Sequence, residues 1–191
     1  YMALSNDGYH FTALNNAHPV ISGDTIAEQR GVRDPHIYRG PDGAFYLVAT
    51  DLHIFAKREG KRATEWERDG AIYGWGNNRG LVLMKSRDLI HWTHTVVNIN
   101  EMAPELSDIG CAWAPETIYD EKTGRLMVYF TMRRKNGPNK LYYVYVNNDF
   151  NRMETKPRLL FEYPDKKITA IDGDICYAQG KYHLFYVAHD G

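Results

Sequence analysis

Short runs of β-branched and aromatic residues alternate along this chain with turns that end in glycine. Three units share one order: an acid near a strand start, a turn ending in glycine, and an aromatic-rich second strand. They run from Asp34 through Gly43 to Thr50, from Glu116 through Gly124 to Phe130, and from Asp172 through Gly180 to Val187. Short apolar runs bounded by such turn residues are typical of paired β-strands.

A second motif lies between the copies of the first. A serine, an aspartate two residues later, a histidine and an aromatic residue recur at 5–11 and 86–92, with a weaker copy at 147–153. The distances Gly43–Gly124 and Asp7–Asp88 are both 81 residues. Interleaved repeats that each contain several short strands are typical of a β-propeller. We therefore predict an all-β fold with four-stranded antiparallel blades, in which Asp7 and Asp88 form side-chain turns.

The repeats divide the chain, taken as one propeller domain over 1–191, into parts of blades. The parts are the end of one blade at 1–30, blades at 31–112 and 113–169, and the start of another at 170–191. Residues 97–112 are predicted to form a loop between the two central blades. Because the chain opens inside one predicted strand and stops just after another, we expect the propeller to be truncated at both ends.

Composition excludes several classes of protein. Apolar residues make up 43% of the chain and the net charge is −1, which favours neither disorder nor a nucleic-acid partner. No apolar run approaches the roughly 18 residues of a membrane span. The two cysteines, Cys111 and Cys176, have no metal or disulfide-framework spacing, so both are predicted to be buried free thiols.

The dipeptide Asp34-Pro35 is the first candidate for chemistry. Proline cannot donate a ladder hydrogen bond, so Pro35 is expected at the first residue of a strand. It should also hold Asp34 in an extended conformation, with the carboxylate aimed out of the strand end. A carboxylate held there by a rigid scaffold is open to solvent and substrate.

A long insertion follows the second strand of this blade, at residues 51–79. It is basic at 57–62 and then aromatic at Trp66, Tyr73 and Trp75. Loops of this length in compact domains are often functional. The alternative is a solvated excursion on the surface.

In a propeller the first strand of each blade lines a central channel, and the starts of these strands meet at one end of it. Asp34, the corner from Trp113 to Glu116, and Asp172 should therefore surround one pocket. Converging carboxylates suit glycosidic bond cleavage, in which one activates water and an acid protonates the leaving oxygen. A third carboxylate nearby raises the pKa of the acid by repulsion. Trp113 offers a flat face for a sugar ring, or else simply packs.

Together these motifs resemble those of the family 43 glycoside hydrolases, which are five-bladed propellers acting mainly on arabinofuranosyl and xylosyl linkages. The segments that carry the resemblance are 33–37, 86–92, 113–116 and 171–172. The resemblance implies that Asp34 is the general base of an inverting reaction. It also implies that Asp172 orients the substrate and modulates the pKa of the acid. The residues implied to bind substrate are Arg33, His36, Trp113 and Glu116.

Two points qualify the match. The family has proline after its second aspartate, where this chain has Gly173, so Asp174 is a lesser candidate for the role of Asp172. The family's general acid is a glutamate of the next blade, expected beyond residue 191. No cofactor is required and no metal ligand is assigned, although some members hold a structural calcium ion.

The resemblance implies a polysaccharide substrate such as arabinan or arabinoxylan, with galactofuranosyl linkages as a further option. Since polysaccharides are met outside the cytoplasm, a secreted or periplasmic location is expected. One competing hypothesis is a non-catalytic carbohydrate-binding propeller, which would keep the aromatic wall but lack a complete set of catalytic groups. A propeller that serves as a protein interaction platform is the third.

Overall fold

Antiparallel sheets dominate the protein, which is described by a computed structural model over residues 1–56, 58–60 and 68–189. Two sheets have four strands and two have two strands. The first four-stranded sheet contains β3 (Val32–Arg39), β4 (Phe45–Asp51), β5 (Gly80–Ser86) and β6 (Trp92–Asn98). The second contains β7 (Ile109–Asp120), β8 (Arg125–Arg134), β9 (Lys140–Val146) and β10 (Arg158–Phe161).

The remaining elements are short. The two-stranded sheets pair β1 (Ala3–Leu4) with β2 (Thr12–Ala13), and β11 (Thr169–Ala178) with β12 (Lys181–His189). The helical turns are α1 (Gly23–Ile26), α2 (Gly70–Tyr73), α3 (Ile99–Met102) and the 3₁₀ segments Asn15–Ala17 and Pro104–Leu106. Within the described ranges, no helix has the length and apolar character needed to cross a membrane.

Each four-stranded sheet is an up-and-down meander of sequential strands, which confirms the predicted blades. The hairpins between first and second strands turn at Gly43, Gly124 and Gly180, with φ of 75°, 67° and 75°. Residues with a Cβ rarely adopt this left-handed conformation, which explains why glycine recurs at the end of each predicted turn. The inner strands β3, β7 and β11 lie side by side, with β7 between the other two.

The main hydrophobic core fills the space between the two four-stranded sheets. Tyr46 of β4 packs edge-on against Phe150, which follows β9, with ring centroids 5.0 Å apart. Phe130 of β8 and Leu83 of β5 are buried in the same cluster. The two blades therefore share one apolar layer, which sets the relative position of β3 and β7.

The predicted side-chain turns between outer strands are confirmed. Oδ1 of Asp88 accepts hydrogen bonds from the backbone N–H groups of Ile90 and His91, at 2.9 and 2.8 Å. Oδ2 contacts the ring Nδ1 of His91 at 2.8 Å, and these contacts hold the pKa of Asp88 well below its usual range. Asp7 makes the same set of contacts with Tyr9 and His10.

Two predictions need correction. Strand β7 begins at Ile109, inside the predicted loop 97–112, because residues 109–112 are fully buried beneath the neighbouring elements and extend the strand inwards. Cys111 is a buried free thiol as predicted, but Cys176 is exposed. The reason is that, among the described strands, β11 pairs with β12 alone and carries Cys176 on an open face.

Candidate active site

A β-bulge interrupts each inner strand at the same place. The strand register shifts between Arg33 and His36 in β3, between Trp113 and Glu116 in β7, and between Ile171 and Asp174 in β11. Inside each bulge one residue has a positive φ: 50° at Asp34, 41° at Ala114 and 51° at Asp172. Bulges redirect side chains and concentrate near active sites. Asp34 and Asp172 therefore occupy equivalent positions, and alanine takes that position in the middle blade.

This geometry differs from the prediction for Asp34-Pro35. Pro35 lies inside β3 rather than at its first residue, and Asp34 has a left-handed φ rather than an extended one. The bulge removes Pro35 from the ladder, so its missing N–H costs no strand hydrogen bond. Aspartate tolerates the left-handed region better than most residues, so the bulge overrides the local effect of the proline.

A threonine from the second strand of each blade ties these bulges together. The hydroxyl of Thr50 accepts a hydrogen bond from the backbone N–H of Ala114 at 2.9 Å and donates one to Oδ2 of Asp34 at 3.0 Å. In the next blade, the hydroxyl of Thr131 accepts from the backbone N–H of Asp172 at 3.1 Å. Each threonine thus fixes the bulge of the following blade.

The two bulge carboxylates influence each other electrostatically. The pKa of Asp172 is raised, first by desolvation and then by the negative charge of Asp34. Both side chains are nevertheless open to the channel, since each belongs to the exposed residues. The Asp172 carboxylate is therefore harder to ionise because a second negative charge stands close to it.

A second ring of polar side chains comes two residues further along each inner strand. It consists of His36, Glu116 and Asp174, which hold equivalent positions after the three bulges. Burial raises the pKa of Glu116 to about 7, and the charges of Asp174 and Asp172 act in the same direction. By its position after the bulge, Glu116 is equivalent to His36 and not to Asp34. The residue of β7 that is equivalent to Asp34 is Ala114, which has no carboxylate.

Hydrogen bonds hold this second ring in place. The Tyr129 hydroxyl donates to Oε2 of Glu116 at 2.8 Å and accepts from the backbone N–H of Ile175 at 2.9 Å. Nδ1 of His36 accepts from the backbone N–H of Thr117 at 3.2 Å, so this nitrogen carries no proton. Burial lowers the pKa of His36, which favours the same neutral form.

A cavity of about 300 Å³ extends along the channel from the second ring, away from the bulges. His36, Thr117, Tyr129 and Ile175 contribute to its lining, with tyrosines further along the strands. Asp34 and Asp172 are not part of the lining. The catalytic candidates therefore lie at the open mouth, above this cavity.

An aromatic pair stands at the mouth beside the bulges. Trp75, from the insertion, packs edge-to-face on Trp113, which precedes the bulge of β7. The guanidinium of Arg33 lies 6.0 Å from the centroid of the Trp75 ring. Trp75 keeps 64% of its surface exposed, whereas Trp113 is half-buried.

Trp113 is itself well packed. Its indole N–H donates to the backbone oxygen of Gly76 at 2.9 Å, and the guanidinium of Arg133 lies 4.4 Å from its ring centroid. Arg133 is buried and also donates to the backbone oxygens of Trp75 and Tyr73, at 2.7 and 3.1 Å. The end of the insertion is thus clamped onto the second blade, and this part of it is not a solvated excursion. Trp66 lies outside the described residues, as do Lys57, Lys61 and Arg62 of the basic run.

The structure brings together Arg33, Asp34, Trp113 and Asp172 around the mouth, and His36 and Glu116 just inside it. Sequence reasoning did not select Thr50, Tyr129 or Trp75 as site residues. Thr50 and Thr131 are separated by 81 residues, the same spacing as the repeat, and this signal was available. Trp75 was visible as an aromatic residue of the insertion, but nothing in its local sequence indicates where it packs.

Comparison with known proteins identifies the family. The sequence profile of the glycosyl hydrolase 43-related family, described as a probable glycosyl hydrolase domain, matches residues 1–190. The chain belongs to this family, and the resemblance inferred from its motifs is confirmed.

Individual relatives are more distant. An α-L-arabinofuranosidase of Bifidobacterium longum subsp. longum is 28% identical over 135 residues, which cover 67% of this chain and 11% of that protein. A 1,2-β-oligomannan phosphorylase of Thermoanaerobacter sp. is 34% identical over 77 residues, covering 37% of this chain and 25% of that protein. The chain thus spans a quarter or less of the length of these two proteins.

The fold is shared with solved family 43 enzymes. A β-xylosidase/α-arabinofuranosidase from a compost microbial metagenome, crystallised with xylotriose, has a TM-score of 0.56 at 19% identity. The match covers 87% of this chain and 44% of that one. The propeller architecture predicted from the repeats is therefore confirmed.

A calcium ion is not supported by the residues themselves. Within the described ranges, no three or more His, Cys, Asp and Glu side chains form a group that could hold a metal ion. The structural calcium that the family suggests stays a prediction, and no step of the reaction is derived through it.

Proposed function

We propose that this protein is an inverting glycoside hydrolase that cleaves arabinofuranosyl or xylosyl linkages, with galactofuranosyl as a further glycone. One observation carries the proposal: Asp34 and Asp172 share the same bulge position in two blades, close enough that the charge of Asp34 adds to the effect of burial in raising the pKa of Asp172. Membership of the family supports a hydrolase. The names of the arabinofuranosidase and xylosidase relatives support these sugars.

In the proposed reaction Asp34 is the general base. Its carboxylate is exposed at the mouth of the channel and takes a proton from water as the water attacks the anomeric carbon. Asp172 lies on the other side of β7, orients the sugar and adds negative charge near the reacting centre. The leaving oxygen requires a general acid, which the family resemblance assigns to a glutamate of the next blade.

We assign substrate binding to the mouth of the channel, beside the bulges of the inner strands. Trp113 and Trp75 form an aromatic wall on which an apolar sugar face can stack, and Arg33 adds donors for hydroxyl groups. His36 and Glu116 contribute from the second ring. The proposed substrate is a polysaccharide such as arabinan or arabinoxylan, and a secreted or periplasmic location follows from meeting it outside the cell.

The test is hydrolysis of nitrophenyl glycosides by the full-length protein. The panel contains the α-L-arabinofuranoside, the β-D-xyloside and the β-D-galactofuranoside. The wild type is compared with Asp34→Asn, Asp172→Asn and Asp88→Asn, the last being a carboxylate of an outer turn. We expect turnover of one sugar, at least about a thousandfold slower in Asp34→Asn and retained in Asp88→Asn, with inversion visible in the NMR spectrum of the first product.

Three results would contradict the proposal. Equal turnover by the wild type and Asp34→Asn would show that Asp34 is not the general base. Dependence of turnover on inorganic phosphate would indicate phosphorolysis, which the similarity to a phosphorylase makes a useful control. Absence of turnover with retained binding of arabinan or xylan would favour the non-catalytic carbohydrate-binding propeller.

A further inference from the structure

Thr50 occupies an unusual position between two blades. Its side chain is fully buried, although the Asp34 carboxylate that it contacts is exposed. The hydroxyl bridges β3 of its own blade and β7 of the next, at 3.0 and 2.9 Å. One buried oxygen therefore joins a proposed catalytic side chain to the backbone of the neighbouring blade.

The direction of both hydrogen bonds follows from chemistry. A backbone N–H can only donate, so the Ala114 N–H occupies a lone pair of the Thr50 oxygen. The single hydroxyl proton is then free to point at Oδ2 of Asp34, which accepts it. Among the described residues no hydrogen bond reaches Oδ1 of Asp34, so the two carboxylate oxygens have different surroundings.

The second blade contains a natural comparison for this arrangement. Thr131 is buried like Thr50 and accepts from the backbone N–H of Asp172 at 3.1 Å. The bulge residue of its own blade is Ala114, which has no carboxylate to receive the hydroxyl proton. Thr131 thus keeps the joint between blades but lacks the contact with an acid.

We propose that Thr50 is a positioning residue for Asp34, holding Oδ2 against the channel wall so that Oδ1 faces the attacking water. This inference rests on the proposed function of Asp34 as general base. The Thr50 hydroxyl then has two separate tasks: it joins the two blades by accepting from the Ala114 N–H, and it orients the base by donating to Asp34. Only the first of these tasks is shared with Thr131.

The test compares Thr50→Val, Thr50→Ser and Thr131→Val in the full-length protein, and each valine variant is made both in the wild type and in Asp34→Asn, whose residual turnover is measured. Because a small misplacement of a catalytic group is costly, we expect kcat of Thr50→Val to fall about tenfold to a hundredfold with little change in KM. Thr50→Ser restores the hydroxyl and most of kcat. Thr131→Val loses only the joint, so it should lower the melting temperature about as much as Thr50→Val and should slow turnover by the same factor in the wild type and in Asp34→Asn, whereas Thr50→Val should slow the wild type alone.

A fall of kcat on adding Thr50→Val to Asp34→Asn that is as large as the fall in the wild type would assign the effect to the joint and overturn the proposal. A serine variant as slow as the valine variant would assign the effect to packing of the threonine methyl group and would overturn it as well. Wild-type turnover that is lost in Asp34→Asn but retained in Thr50→Val would overturn this inference alone. Absence of turnover in the wild type would overturn the proposed function as well. If Thr50→Val does not fold, Thr50→Cys replaces it, since a thiol is a weaker donor and the same direction of change is expected.

Discussion

Trp75 and Trp113 meet edge to face at the mouth of the channel, with ring centroids 6.0 Å apart and planes at 69°. The two residues come from different blades and are brought together by the buried Arg133, which binds the backbone of the insertion. Trp113 supports the pair and Trp75 presents most of its surface to solvent. An exposed aromatic ring held this firmly loses little entropy when it binds a sugar.

Replacing Trp75 with alanine should therefore weaken substrate binding. We expect KM to rise about fivefold with kcat nearly unchanged, because a stacking contact of about 1 kcal/mol acts on ground state and transition state alike. Steady-state kinetics on an arabinan or xylan oligosaccharide provide the measurement. Trp75→Phe should retain most of the affinity.

Phe11 provides the matched control, since it is an aromatic residue of similar exposure near β2. Phe11→Ala should leave KM unchanged. If Trp75→Ala and Phe11→Ala gave the same KM, Trp75 would have no part in the binding site.

Glu116 should make the stability of the protein depend on pH. Its pKa is raised from 4.5 to about 7 by burial and by the charges of Asp174 and Asp172. A raised pKa means that the folded state favours the protonated carboxyl. The stabilising contribution is present below about pH 4.5 and is lost as the pH rises to about 7 and beyond.

Glu116→Gln tests this sign, because glutamine is neutral at every pH and its oxygen can still accept from Tyr129. The variant and the wild type should have similar free energies of unfolding at pH 4.5. At pH 8 the variant should be more stable by about 1 to 3 kcal/mol. Urea unfolding at a series of pH values measures the difference, and a difference that does not change with pH would refute the assignment.

In Tyr129→Phe the pKa of Glu116, followed by NMR, should rise further, since the hydrogen bond from Tyr129 lowers it.

Ala114 stores backbone strain at the bulge of β7. Its φ of 41° is unfavourable for a residue with a Cβ and costs about 1 kcal/mol relative to glycine. Ala114→Gly should therefore raise the free energy of unfolding by up to about 1 kcal/mol. Ala112 lies on the same strand without a positive φ, so Ala112→Gly should lower it by about 1 kcal/mol.

Chemical unfolding of the two variants checks this pair of predictions. Both substitutions remove one methyl group from the same strand, but the methyl group of Ala112 is also buried in the core, so the sign of the change at Ala114 is what reports its backbone conformation. A loss of stability in Ala114→Gly equal to that in Ala112→Gly would show that the bulge is not strained.

The blades could be predicted from sequence because their signals are local. Turn glycines at Gly43, Gly124 and Gly180 and the aspartate turns at Asp7 and Asp88 each depend on a few neighbouring residues. Since these signals recur at matched spacing, the order of strands follows from them. The meeting of Asp34 and Asp172 then follows from the architecture.

The remaining features depend on contacts that local sequence does not encode. The extended conformation expected for Asp34 was overridden by the bulge, which tertiary packing imposes on all three inner strands. The early start of β7 depends on burial of Ile109 by other elements. The position of Trp75 depends on Arg133, which lies 58 residues further along the chain.

The joints made by Thr50 and Thr131 recognise the next blade through a backbone N–H alone. Alanine and aspartate both have that group, so the joint itself does not distinguish between them at positions 114 and 172. In this protein the contact between blades and the carboxylate at the mouth of the channel therefore depend on different groups of the same residue. The same contact between blades occurs with a methyl group at position 114 and with a carboxylate at position 172. The side chain at the mouth of the channel can therefore differ between blades while the contact that assembles them is the same.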